Sequence, residues 1–199
     1  KTGKESKYIS DSDNKSPEEY YKLLAQSLRI QLLYCEYVFI NLQQLAGNKQ
    51  AITKLIYENK DSLADVMIWD KQHTQPAMAE NVLNSRFEFI YIFSKAGNRK
   101  IGTKKFRGNK DNVIDLPQQR ENTHAAIHSA TFPVELAAEI IDFAKPKENV
   151  VDLFGGSGTT LIACEQLNRK CYMMELDPAY IDVIIDRWET YTGQEAVKL

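Results

Sequence analysis

The stretch Val150-Val151-Asp152-Leu153-Phe154-Gly155-Gly156-Ser157-Gly158-Thr159-Thr160 constrains the fold more than any other part of the chain. Its apolar start reads as a buried strand, and three glycines within four residues make a turn too tight for most side chains. A helix is expected directly afterwards, from Thr159 to Leu167. A helix opening on such a turn offers free N–H groups and the positive end of its dipole, which suits a carboxylate or phosphate. Seventeen residues beyond Gly158, on the next expected strand (Cys171 to Leu176), stands Glu175. A carboxylate there can take both hydroxyls of a ribose. Together these features describe a nucleoside-containing ligand lying across the carboxyl ends of two parallel strands.

The surrounding sequence fits that frame. Helices are expected over Val134 to Phe143 and Ala179 to Tyr191, with a short last strand over Ala196 to Leu199. Upstream, Ser16-Pro17-Glu18-Glu19 carries the residues of a helix start, with Ser as cap, Pro in the first turn and Glu at the third position. Tyr20, Leu23, Leu24, Leu28 and Leu32 share one face of that helix. Tyr34 to Leu42 reads as a strand, about Asn48 to Tyr57 as a helix, and Ala64 to Trp69 and Phe87 to Phe93 as strands. The last two follow one another without an obvious long helix between them and are expected to pair antiparallel at a sheet edge. The fold expected is a doubly wound α/β domain with a mostly parallel sheet and an antiparallel edge strand.

The glycine loop admits more than one nucleoside. The dinucleotide fingerprint Gly-x-Gly-x-x-Gly/Ala, read from Gly156, ends on Leu161, too bulky for the close helix–strand packing of a pyrophosphate site. A nicotinamide-dependent oxidoreductase with an irregular loop stays as a rival reading. A phosphate-binding P-loop does not, because no Gly-Lys-Ser/Thr follows.

These residues resemble a family. Asp152 to Thr160 is similar to motif I of the S-adenosylmethionine (SAM)-dependent DNA amino-methyltransferases, and Glu175-Leu176-Asp177-Pro178-Ala179-Tyr180 to their motif II. His128-Ser129-Ala130-Thr131-Phe132-Pro133-Val134-Glu135-Leu136 resembles motif X, with Ser129 where the family often has Pro. Ile68-Trp69-Asp70-Lys71 and Phe87 to Lys95 resemble strands of the catalytic half. Motif I in the last quarter, with motif X just before it, is the permuted order of the β group. The resemblance implies a single Rossmann-like methyltransferase domain over 1–199: a leader (1–15), a catalytic half (16–95), a short target-recognition insert (96–125) and a SAM-binding half (126–199). It implies that Phe154, Gly155, Gly156, Ser157, Gly158, Thr159 and Thr160 surround the methionine end of SAM. Asp152 would favour its ammonium and Glu175 would hold the ribose. Asp177 would orient the adenine or support the loop, and Ala130, Phe132 and Pro133 would line the opposite wall.

The family's chemistry uses Asp/Asn/Ser-Pro-Pro-Tyr/Phe, which orients the target amino group and stacks on the flipped base. The 199 residues contain no Pro-Pro pair. Asp177-Pro178-Ala179-Tyr180 is the nearest match, but it continues Glu175-Leu176 as motif II does, so no catalytic residue is assigned. In the β-group order the tetrapeptide is expected before Lys1, with Lys1 to Asn14 as the loop after it. These residues alone are therefore expected to bind SAM weakly or not at all and to transfer methyl poorly or not at all. Cys35, Cys164 and Cys171 do not follow Pro, which argues against methylation at cytosine carbon-5.

The resemblance also implies double-stranded DNA as the partner, and it leaves a homodimer and a cognate restriction enzyme open. From Lys95 to Arg120, eight Lys and Arg stand against Asp111 and Asp115, in a chain whose net charge is −2. Arg99, Lys100, Lys104, Lys105, Arg107 and Lys110 are expected to meet phosphate, with Arg107 or Asn109 able to reach base edges. The connection Lys71 to Ser85 is expected above the sheet's carboxyl edge, near the entry of a flipped base, with His73 as a candidate contact. A DNA-binding remnant without catalysis is a second rival. No metal is assigned. The polar N-terminus and the three cysteines without ligand or disulfide spacing suit a cytoplasmic protein, and no apolar run reaches membrane-spanning length.

Overall fold

The computed structural model describes residues 15–74, 80–101, 110–118, 132–144 and 149–198. Expectations for the leader 1–14, for Ala130 and for Lys104, Lys105 and Arg107 lie outside them. The chain divides into two compact units, one over 15–118 and one holding 132–144 and 149–198 among its described residues.

The first unit opens with helix α1 (Pro17–Tyr34), started by the expected capping box. The Glu19 N–H donates to Ser16 Oγ at 3.3 Å, and the Ser16 N–H donates to Glu19 Oε2 at 2.9 Å. Strand β1 (Tyr37–Leu42), helix α2 (Lys49–Glu58), and strands β2 (Leu63–Asp70), β3 (Phe87–Ser94) and β4 (Val113–Asp115) follow. The sheet order is β1-β3-β2-β4, with β3 antiparallel to both neighbours and β4 parallel to β2. The antiparallel strand thus lies inside this sheet, where the sequence suggested an edge. Alternation along β3 explains why it can. Tyr91 and Phe93 join Leu24, Leu28, Val38, Ile52 and Leu55 in a core under α1 and α2, while Ile90 and Ile92, pointing the other way, are buried too. A strand buried on both faces has the apolar run of a central strand. Strand β4 was not anticipated. Its three residues are too few to carry a readable period; Ile114 is buried, Trp69 Nε1 donates to the Leu116 carbonyl at 2.8 Å and the Ile68 N–H to that of Asn112 at 2.8 Å.

The second unit comprises helix α3 (Val134–Ala144), strand β5 (Asn149–Asp152), helix α4 (Thr159–Gln166), strand β6 (Lys170–Met173) and helix α5 (Pro178–Thr192). β5 and β6 pair in parallel through the α4 crossover. Ala137, Ile141, Ala163 and Cys164 form the core between α3 and α4, with Val150 and Cys171 of the strands packed against it. The expected strand at Ala196 does not form. Residues 194–198 are irregular, and the Ala196 N–H donates to Glu189 Oε1 at 2.7 Å, tying the segment back to α5 rather than to a sheet.

Candidate functional site

Both strands of the second unit end in the loop region that the sequence singles out. The parallel ladder continues one step past β5 and β6. The Met174 N–H donates to the Asp152 carbonyl at 2.9 Å, and the Gly155 N–H to the Met174 carbonyl at 2.8 Å. The loop therefore sits at the carboxyl ends of the strands, where open α/β sheets take their ligands. Gly155 packs closely, since a Cβ there would stand 2.8 Å from Met173 Cγ and 3.1 Å from the Met174 carbonyl oxygen and would force the Met173 side chain to move. Gly156 and Gly158 adopt φ of 51° and 77°, the left-handed region that L side chains avoid. The Gly158 N–H closes the turn on the Gly155 carbonyl at 2.8 Å, and α4 starts at the next residue.

The two expected acids flank this turn. Glu175 reaches back across it: the Gly156 N–H donates to Oε2 at 2.7 Å, and the N–H groups of Leu176 and Asp177 donate to Oε1 at 2.8 and 2.9 Å. Asp152 accepts from the Phe154 N–H at 3.0 Å and from Thr160. Burial raises the Asp152 carboxyl above the ordinary range, and the Glu175 charge adds to that. A cation placed beside Asp152 would relieve both effects. Asp177 caps α5, accepting the Ala179 N–H at 2.9 Å through Oδ1, while its buried Oδ2 has no hydrogen-bond partner. Phe154 is half exposed at the loop's outer side.

Some assigned residues face elsewhere. The side chains of Ser157 and Thr159 are buried beneath the loop, where they meet Arg187 of α5. Arg187 Nη1 donates to the Ser157 carbonyl at 3.0 Å, to Ser157 Oγ at 3.3 Å and to Thr159 Oγ1 at 3.1 Å. Sequence reasoning passed over this arginine. Its signal was the spacing Tyr180, Ile184, Arg187, the inner-face period of α5. Phe132 packs against the α3–α4 core, and Pro133 is buried at the entrance to α3, its carbonyl accepting the Leu136 N–H at 3.1 Å.

The first unit has a polar cluster of its own. β2 and β4 run parallel, so Asp70 and Asp115 mark their carboxyl edge, and the connection over 71–86 leaves from it. Arg86 forks onto Asp70, Nε to Oδ1 at 2.7 Å and Nη2 to Oδ2 at 2.6 Å. Behind this fork, Lys71 is buried and pairs with Glu88 at 3.2 Å, its ammonium facing the Trp69 ring. His73 is exposed on the same connection, as are Val82 and Leu83. The described part of the basic stretch lies at the opposite end of this sheet. Arg99 Nε donates to Asp65 Oδ2 at 2.8 Å near the start of β2, and the Lys100 carbonyl accepts from the Tyr37 hydroxyl at 3.4 Å at the start of β1. Lys110 precedes β4. Among the described residues, no group of three or more His, Cys, Asp or Glu is placed to hold a metal, and no helix is long and apolar enough to cross a membrane.

Comparison with known proteins agrees with this geometry. Type II methyltransferase M.Cfr9I of Citrobacter freundii is 29% identical over 151 residues, which is 73% of this chain and 50% of that protein. The chain thus spans half the length of that curated relative. Among solved structures, the PvuII DNA methyltransferase (cytosine-N4-specific) superposes with a TM-score of 0.69 at 18% identity, covering 96% of this chain and 81% of that one. The M1.HpyAVI–SAM complex gives a TM-score of 0.62 at 20% identity, covering 84% and 81%. These likenesses give the fold, an α/β Rossmann-like one. The DNA methylase family model, that of the N6/N4 methyltransferases, matches residues 2–186, from ahead of α1 well into α5, and on that extent the chain belongs to this family.

Proposed function

We propose that the chain works as part of a SAM-dependent DNA methyltransferase acting on the exocyclic amino nitrogen of a base flipped from double-stranded DNA, adenine ahead of cytosine. The observation that carries this is the loop between β5 and α4, flanked by Asp152 and Glu175, in a chain of the DNA methylase family. The residues present fit the cofactor. The N–H groups of Thr159, Thr160 and Leu161 open α4 and suit a carboxylate. Asp152 suits an ammonium that would offset the cost of its burial and Glu175 the ribose hydroxyls, while Asp177, capping α5, supports the loop.

When bound, SAM supplies an electrophilic methyl on a sulfonium. The chain's own contribution is to fix and orient: Asp152 and the glycine turn hold the methionine end of the ligand, and Glu175 its ribose. The carboxyl edge of the first unit, with the 71–86 connection, is the base-facing side. The stretch from Arg99 and Lys100 through Lys104, Lys105, Arg107 and Lys110 supplies phosphate contacts. Because these 199 residues hold no Pro-Pro pair, methyl transfer depends on a protein that also supplies the Asp/Asn/Ser-Pro-Pro-Tyr/Phe element. A cytoplasmic setting, a cognate restriction enzyme and self-association complete the proposal.

The test is incorporation of tritiated methyl from SAM into unmodified DNA by a form carrying that element, followed by nucleoside chromatography. N6-methyladenine is expected, and N4-methylcytosine would move the target to the second reading. 5-Methylcytosine, or no incorporation, would overturn the proposal.

A further inference from the structure

Arg187 is a buried guanidinium without an acid. It is 9% exposed, its recorded partners are the carbonyl and hydroxyl of Ser157 and the hydroxyl of Thr159, and no carboxylate lies within ion-pair distance of it among the described residues. Burial without a counter-charge disfavours its charged form, though a guanidinium stays protonated. An uncompensated buried charge is costly, and three neutral oxygens offset it only in part. All three belong to the glycine loop or to the first residue of α4. The positive charge therefore stands directly behind the segment whose N–H groups face outward from the start of that helix. Two features of α4 sharpen this. Its N-cap is Gly158, which has no side chain to occupy those N–H groups, and its first turn carries no acidic residue. Among the described residues neither the helix start nor Arg187 has a negative partner, and a ligand's carboxylate would supply one.

We infer that Arg187 is a positioning residue for the cofactor's carboxylate. It holds Ser157 and Thr159 in place and adds a fixed positive charge behind the loop, so the site prefers a ligand bearing a carboxylate over the same ligand without one. This rests on the SAM reading given above. It assigns Arg187 a task different from those of Asp152 and Glu175, which address the ammonium and the ribose.

The test compares two ligands by calorimetry at low ionic strength: S-adenosylhomocysteine and its decarboxylated analogue, which keeps the amine and the adenosine. The wild-type chain should bind the first more tightly. Arg187→Met should weaken S-adenosylhomocysteine roughly 30-fold, the scale of a unit charge acting across one loop layer at an effective dielectric of about 20, and leave the analogue within about threefold. Arg187→Lys, which keeps charge but not the three-way hydrogen bonding, should recover part of the preference. Equal weakening of both ligands in Arg187→Met, including loss of both through misfolding, would overturn the inference, because Arg187 would then support the loop and nothing more. So would an Arg187→Lys chain that shows no more preference than Arg187→Met. If a form that also carries the Asp/Asn/Ser-Pro-Pro-Tyr/Phe element binds neither ligand, the SAM reading fails instead.

Discussion

Gly158→Ala isolates the backbone demand at the centre of the site. The residue sits at φ 77°, and a Cβ built on it would stand 3.2 Å from both Cγ1 and Cγ2 of Ile184 on α5. The left-handed conformation costs an L residue about 1–2 kcal/mol. Squeezing a methyl against two carbons at that separation adds roughly 1 kcal/mol, the lower end of overpacking costs. The smaller unfolded-state entropy of Ala offsets about 0.5 kcal/mol. The net destabilisation expected is about 2 kcal/mol. Urea unfolding followed by Trp188 fluorescence reads it, because Trp188 Nε1 donates to Glu165 Oε1 at 2.9 Å and so reports the docking of α5 on α4. Replacing Trp69 by Phe removes the other of the two tryptophans. The two costs separate by substitution. In an Ile184→Ala background only the backbone part should remain, and Gly158→Asn should cost less than Gly158→Ala, since Asn tolerates the left-handed region better. A Gly158→Ala chain within about 0.5 kcal/mol of wild type would refute both the turn geometry and the packing of α5 behind it. Gly158→Asp would drive a carboxylate against Ile184 of α5 behind the turn, and should abolish cofactor binding by breaking the turn.

Three further outcomes follow from named contacts. Lys71→Met leaves the half-buried Glu88 without its partner and should destabilise the first unit by about 2 kcal/mol, whereas Lys71→Met with Glu88→Leu should recover most of that; Trp69 fluorescence in urea reads both. For Asp152, burial raises the folded carboxyl above its unfolded value of about 3.9. The cost of its charge is therefore absent below that value, and stability is lost as pH rises through the window up to the raised folded value. Asp152→Asn should accordingly raise Tm at pH 7, leave it unchanged near pH 3, and weaken amine-bearing ligands; a lower Tm at pH 7 would contradict the assignment. Ser16→Ala removes the cap that accepts the Glu19 N–H and should cost about 1 kcal/mol in thermal unfolding.

Much of the second unit was legible because local chemistry and tertiary role coincide there. Three glycines, a strand before them and a helix after them leave few conformations, and Glu175 falls at the end of the next strand in register with the loop. The capping box at Ser16 was legible for the same reason: it is built from four adjacent residues. What the sequence concealed was set by partners far along the chain. β3 reads as an apolar strand whether it lies at an edge or between two neighbours, and only the pairing with both β1 and β2 decides. β4 is three residues held by a carbonyl that accepts the Trp69 indole N–H, 47 positions away. Arg187 looked like one more charged position on a surface helix until the loop was seen above it. The basic stretch was legible as charge but not as place, since the ion pair of Arg99 with Asp65 puts its start at the amino end of β2.

The central claim is that the glycine turn with Asp152 and Glu175 holds SAM, and calorimetric titration of the chain with S-adenosylhomocysteine, with NAD in parallel, tests it most directly. Binding of S-adenosylhomocysteine alone, weakened by Glu175→Gln, is the result expected. Binding of NAD alone, or of S-adenosylhomocysteine with an affinity indifferent to Glu175→Gln, would contradict it.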